Sequence, residues 1–580
     1  MTASSRRVAS LGALILLGGW VVWWLTRPTP TAVKTPAAPV QALTSSIRAE
    51  PRSFNRFANR DTFTDLFALL TQAKLIRVNR VTQDLEPQLA RTWSASADGL
   101  TYTVQLQPGL FFSDGVPFSV EDVVFAFEAA YDPRTASPLA DSLLIDGKPL
   151  QVRALGSETF ELTFPSAYGP GLRILDNLPI LPKHRLIAAL AQGTLASAWG
   201  ITTPPSELAG LGPFVLAEYR PGERVVFARN SRYWRKTPDG TALPHLDRLT
   251  LEVLPDQNAE LLRLRSGAID LTQNELRAED FLPMKQAADR GQVKLVDLGV
   301  ALDTEAIWFS LSSAAKRSDP RRQWLQSEPF RHSVSLAVDR QAFVDTVFLG
   351  AGVPLYGPVT PSNKVWFAAD LPADPYDPSL ARTLLKGLGL EDRTGDGTLE
   401  DQSGKAVRFA LLSVKGNSVA ERGAAVVRSE LAKIGIVVDV VALEFGAFIE
   451  RVLKGDFDAI FYRVQSTDTD PAVNLDFWLS SGSAHLWNLG QSRPSTDWER
   501  QIDDLMRRQA ASLDRAERKR LFDQVQRVFV EHRPGVFFAA PRVYIATSAR
   551  VVESTPALLR PQLLWNAEAL VASSSSVTSP

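Results

Sequence analysis

Residues 85–138 constrain the fold more tightly than any other stretch of the chain. Asp98-Gly99 is a turn signal. Tyr102, Val104 and Leu106 then alternate with Thr101, Thr103 and Gln105, the period of a half-buried strand. Asp114-Gly115 marks a second turn. Ser119 followed three residues later by Asp122 has the pattern of a capping box. Val120, Val123, Val124 and Phe127 fall on one face of the helix that follows. Pro133 and Pro138 close the unit. No catalytic group stands out within it, so this strand–turn–helix order reads as scaffold.

Strand-like and helical runs alternate along the rest of the chain, which predicts an α/β protein. A length of 580 residues exceeds a single core and predicts two or three domains. Val152 to Phe164 alternates well enough to add strands, and so do Leu249, Leu251 and Val253. Pro329 in a first turn predicts a helix over 328–338. A helix over 419–434, ended by Gly435, precedes a buried strand over 436–441. Trp498, Ile502, Leu505 and Met506 repeat at helical spacing. Asp514 with Glu517 caps the next helix, whose inner face carries Leu521, Val525, Val528 and Phe529. The strand-like run 536–545 is expected to lead back into the first part of the chain.

Composition removes several function classes. The 63 basic and 64 acidic residues nearly cancel, so no bulk basic charge recruits nucleic acid. The absence of cysteine excludes a disulfide, a thiolate metal site, a cysteine nucleophile and a lipid-modified N-terminal cysteine. No His-Glu-x-x-His, Walker-type loop, Gly-x-Gly-x-x-Gly or Gly-x-Ser-x-Gly occurs. Ser313-Ala314-Ala315-Lys316 fits Ser-x-x-Lys without the partner motifs that would give it meaning. The five histidines are scattered, with no pair at metal-ligand spacing. Asp392, Thr394, Asp396 and Thr398 alternate as in a calcium loop, but Ser403 stands where the bidentate glutamate belongs; a solvated turn is the simpler reading. No cofactor is expected.

At the N-terminus, Arg6 and Arg7 precede an apolar run from Val8 to Leu25 with Trp20, Trp23 and Trp24 at its outer end. The run is close to the ~17–20 residues a membrane helix needs, and tryptophan favours the interface. It reads either as an uncleaved anchor in the inner membrane or as a cleaved signal segment. A Pro/Ala/Thr-rich linker over 26–44 follows, and a Ser-rich tail over 571–580 is expected to be disordered.

The order of the 85–138 block resembles the signature of the bacterial extracellular solute-binding proteins of family 5, the peptide- and nickel-type receptors of ABC importers. Glu50-Pro51-Arg52-Ser53-Phe54-Asn55, Gly212-Pro213-Phe214, Arg229-Asn230-Ser231-Arg232-Tyr233-Trp234 and Leu243-Pro244-His245-Leu246-Asp247 extend the likeness. So do Ser266-Gly267-Ala268-Ile269-Asp270, Ala337-Val338-Asp339-Arg340, Gly455-Asp456-Phe457-Asp458-Ala459 and Thr469-Asp470-Pro471. The resemblance implies a two-lobe type II periplasmic binding protein fold with an extra strand-rich subdomain in the first lobe. Lobe I is expected over 45–75, 212–300 and 542–570, the subdomain over 76–211, and lobe II over 301–541.

What the resemblance implies for function is capture of an oligopeptide-like solute in an interlobe cleft and delivery to ABC permease subunits, by a monomer held at the membrane. Family-matched regions nominate Asn59, Asp61, Thr62, Thr272, Gln273, Asn274 and Trp308, then Arg463, Gln465, Asp468, Trp487 and Asn488. Peptide-binding relatives place an amine-pairing aspartate four residues before the equivalent of Pro471. Thr467 stands there, and Asp468 is the nearest substitute. Arg463 could pair a carboxylate bidentately. The competing readings are an exported hydrolase using Asp468, Asp470 and Asp476, and a chaperone or sensor built on the same cleft.

Overall fold

The computed structural model describes residues 40–312, 319–463 and 468–573. The 8–25 anchor, most of the linker, Ser313–Lys316, Gln465, Thr467 and residues 574–580 of the tail lie outside the described residues. Among the described residues no helix is long and apolar enough to cross a membrane. Two expectations at the chain ends are corrected. Residues 42–44 belong to the strand Ala42–Ile47, because Leu43 and Ile47 insert into the core. The strand Val571–Ala572 pairs with Val551–Glu553, held by buried Leu570 and Ala572.

The 85–138 block forms as its pattern dictates. Tyr102, Val104 and Leu106 of strand Thr101–Leu106 point into the core, while Thr101, Thr103 and Gln105 face outward or lie half buried. This strand sits inside a four-stranded sheet ordered Ala90–Ala95, Thr101–Leu106, Thr159–Thr163, Gln151–Ala154, all antiparallel. The helix Val120–Tyr131 starts at a complete capping box: Ser119 accepts from Glu121 N, and its own N–H donates to Asp122 at 3.0 Å.

A second four-stranded sheet carries the body of lobe I. Its order is Ala42–Ile47, Arg248–Val253, Arg224–Arg229, Phe214–Arg220, with the first pair parallel and the others antiparallel. Gly212 lets the chain return flush against the helix Thr62–Thr71. Its N–H donates to Thr71 O at 3.0 Å, and any Cβ there would overlap the Thr71 backbone.

Lobe II is built on most of a mixed seven-stranded sheet, whose central strands Glu305–Phe309 and Ala459–Phe461 are buried on both faces. Strand Glu305–Phe309 shows why the sequence is apolar from Ala306 onward. Ile307 and Phe309 join one core with Val334, Phe343 and Leu431, while Ala306 and Trp308 join another with Trp487, Phe477 and Phe529. A strand covered by helices on both sides needs no polar face.

The long strand Gly535–Thr547 joins the lobes. Its first half pairs with Glu305–Phe309 and Gly352–Pro354; its second half pairs antiparallel with Lys294–Val300. Thr272 N then donates to Ala546 O, tying that end into lobe I. Residues 301–304 and 541–542 are therefore where two neighbouring segments pass between the lobes, a geometry suited to hinge motion.

Candidate functional site

A cavity of 860 Å³ lies between the lobes. Lobe I lines it with Arg60, Thr62, Lys74, Arg80, Gln273 and Asn274, and lobe II with Asn417, Ser418, Arg463 and Asp468. Ala301, Asp303, Pro541 and Arg542 of the crossing segments close its back. The volume falls within the range of small-molecule sites.

The nominated residues separate into two groups. Thr62, Gln273, Asn274, Arg463 and Asp468 line the cavity. Asn59, Asp61, Thr272, Trp308, Trp487 and Asn488 do not, and each has a structural task. Asp61 caps the helix Thr62–Thr71 through Thr64 N, and the Asn59 carbonyl accepts from Thr64 Oγ1. Thr272 Oγ1 donates to Ala546 O, binding the crossing strand. Asn488 Nδ2 donates to Gln491 and Ser495. Trp308 and Trp487 stack at 6.1 Å inside lobe II and are 1% and 0% exposed, so neither offers a face to a solute.

Asp468 is at the cavity wall but already engaged. Arg173, from the turn Gly171–Asn177 of the subdomain, reaches it with Nε at 2.8 and 3.0 Å from the two oxygens and Nη2 at 2.7 Å. The same guanidinium donates to Gln83 O at 2.9 Å and Thr469 Oγ1 at 3.1 Å. A carboxylate neutralised this way is not a ready seat for a solute's ammonium group, which corrects the substitution expected for it. Asp470 pairs with Arg518, with Nη1 at 3.0 Å. Two of the three carboxylates a hydrolase would need are thus locked to arginines, against the geometry that acid–base work requires.

Arg173–Asp468 also bridges the lobes. Gln83 Nε2 donates to Ser362 O at 3.0 Å nearby, and Arg515 pairs with Asp84 at 3.1 Å. At another point Ser418 Oγ donates to Glu279 at 3.2 Å, and Arg422 lies 3.5 Å from the same carboxylate. Nothing in the sequence around Arg173 signals this role, because its partner is 295 residues away.

Behind the cavity wall, Arg463 Nε stands 3.9 Å from Asp303 and 3.8 Å from Glu305. Burial pushes the Glu305 carboxyl up to about 7; Arg463 opposes the shift and Asp303 adds to it. The folded chain therefore holds a proton that the unfolded chain releases, and stability falls as pH rises from about 4.5 to 7. Glu305→Gln should remove that loss. Urea unfolding at pH 4.5 and pH 8 should show the variant gaining on the parent by about 3 kcal/mol across this window. Parallel pH dependences would contradict the assignment.

The Asp392–Asp401 turn is held by its own hydrogen bonds. Asp392 accepts from Gly395 N and Gly397 N, and Asp396 from Thr398 N. The carboxylates of Asp392, Asp396 and Glu400 gather within 4.8 Å of one another, whereas Thr394 Oγ1 donates to Glu400.

Comparison with known proteins places this geometry among relatives. A family model described as "Bacterial extracellular solute-binding proteins, family 5 Middle" matches residues 84–485. A Deinococcus radiodurans protein named "Probable ABC transporter-binding protein" is 27% identical over 522 residues, covering 86% of this chain and 87% of that one. The oligopeptide-binding protein AppA of Bacillus subtilis is also 27% identical over 522 residues, covering 86% of each. The solved structure of AppA in complex with a nonapeptide superposes with a TM-score of 0.66 at 25% identity, over 92% of this chain and 100% of that one.

Proposed function

Because the chain belongs to the bacterial extracellular solute-binding proteins of family 5, we propose that it captures an oligopeptide-like solute in the interlobe cavity and hands it to an ABC permease. The chain is a substrate-binding receptor of ABC transport and not an enzyme. The observation that carries the reading is the cavity itself: it lies between lobes joined by two crossing segments and touching at points around it. Solute bound between such lobes adds contacts to both at once and so favours the closed arrangement. The oligopeptide class is supported by AppA, whose name and nonapeptide complex both concern peptides.

Within the cavity, Thr62, Gln273 and Asn274 supply polar contacts from lobe I, and Arg463 supplies the charged contact from lobe II. Lobe I is assigned residues 42–75, 212–300 and 542–572, with the subdomain over 76–211 and lobe II over 301–541. The receptor works outside the cytoplasmic membrane as a monomer, with residues 8–25 as its anchor. Intact mass of the protein from its own membranes tests the anchor: 63.6 kDa is expected for the retained segment. A mass lower by the N-terminal residues would point to cleavage.

The test of the receptor reading is thermal. A solute binding only the folded state should stabilise it by about 2.7 kcal/mol at 100 times its Kd. The melting point should rise with the solute that co-purifies from native cells. Absence of any co-purifying solute, together with no shift across broad solute panels, would contradict the reading.

A further inference from the structure

The cavity is electrostatically one-sided. Nine arginine and lysine residues line it against five aspartates and glutamates. All five acids already have a cation within ion-pair distance. Asp65 holds Arg56, Asp176 holds Lys74 at 3.3 Å, and Glu275 holds Arg560. Asp468 holds Arg173, and Asp303 faces Arg463. No cavity carboxylate among the described residues is left over for a solute's ammonium group.

Several cations are left over. Arg60 and Arg80 make no hydrogen bond or ion pair with any described residue. Arg463 approaches its two acids only through Nε, at 3.8 Å or more, leaving both terminal nitrogens without a hydrogen bond. Burial pulls Arg80, Arg56 and Lys74 below their ordinary values, and neighbouring positive charges deepen each shift. Arg80 is half-buried near Asp176 and Asp468 yet makes no hydrogen bond to either, and a bound anion would satisfy its free N–H groups.

The cations that make no side-chain hydrogen bond are divided between the lobes. Arg60 and Arg80 belong to lobe I and Arg463 to lobe II, all on the same cavity. Without a solute they oppose the approach of the lobes. An anion between them would reverse the sign of that interaction and so favour closure.

Resting on the receptor reading above, we propose that the solute is an acid carrying at least two carboxylates, held by Arg60 and Arg80 on one side and Arg463 on the other. An acidic peptide and a non-peptide polycarboxylate share this chemistry.

Calorimetry on the full purified chain distinguishes them. The probes are acetyl-diglutamate and acetyl-triglutamate, citrate and tricarballylate, and the amide counterpart of each. Trialanine and trilysine complete the panel, and mass spectrometry identifies whatever solute co-purifies from native cells. An acid from the panel, or a co-purifying acid, should bind about 10- to 150-fold more tightly than its amide, the range for one charge-assisted hydrogen bond. Arg80→Gln and Arg463→Gln should each abolish that preference. Arg60→Gln, at an exposed side chain, should weaken it with the melting point unchanged, which separates lost binding from lost folding. Binding by the glutamyl probes alone assigns an acidic peptide; binding by the tricarboxylates alone assigns a non-peptide acid.

Amides, trialanine or trilysine binding as tightly as the acids would overturn the proposal and leave the receptor reading standing. So would a neutral or cationic co-purifying solute, or an acid preference that survives both arginine substitutions. No binding and no co-purifying solute would remove the receptor reading and the proposal together.

Discussion

Arg173→Met is expected to destabilise the folded chain by about 3–5 kcal/mol, the loss that follows when one member of a buried ion pair is removed. Arg173 is 8% exposed and makes contacts on both sides of the cleft. Its loss leaves the Asp468 carboxylate enclosed without a counter-charge, and frees Gln83 O and Thr469 Oγ1 from their donor. The double variant Arg173→Met/Asp468→Asn removes the orphaned charge and should recover most of the stability. It should not recover closure, because the lobe-to-lobe link is still missing. Solute affinity of the double variant should therefore remain below that of the parent while its urea midpoint approaches the parent's. Affinity that recovers together with stability would mean the pair has only a local packing role.

Trp487→Ala should cost a comparable amount, about 3–5 kcal/mol, for a different reason. The indole is fully enclosed between Trp308, Phe477 and Phe529, with ring centroids at 6.1, 5.6 and 5.3 Å. Its Nε1 donates to Glu499 at 3.3 Å. Truncation opens a void in lobe II that the rigid sheet cannot close, and leaves Glu499 short of a donor. Because the ring is remote from the cavity wall, solute affinity measured well below the melting point should be unchanged. A large affinity loss with a normal melting point would restore Trp487 to the site.

That second prediction marks where sequence reading gave out. The turns, capping boxes and alternating runs were legible because each depends on neighbours within a few residues: Ser119 with Asp122, or Tyr102 with Val104. The helix Ser418–Ala432 and the strand Val437–Leu443 were legible for the same reason. Whether an aromatic faces a cleft or a core is not local. Trp308 lies in a strand buried on both sides, so its sequence context reads the same either way. Arg463 was found because it falls in a segment that matches the family, not because its own neighbours mark it. Arg80 and Arg173 were missed because an isolated arginine carries no pattern. What sets them apart is which charges stand opposite across the fold, and those come from segments far away in the chain.

Closure of the two lobes on a solute is the claim on which the receptor account depends. The chain has no cysteine, so Ser157→Cys in the subdomain and Ser429→Cys in lobe II, both exposed, allow a single pair of spin labels. Pulsed electron resonance on this pair, with and without the solute that co-purifies from native cells, measures the separation of the lobes directly. The account predicts a broad distribution of distances in the emptied protein that narrows to one shifted population when the solute is added. An identical distribution under both conditions, at saturating solute, would contradict it.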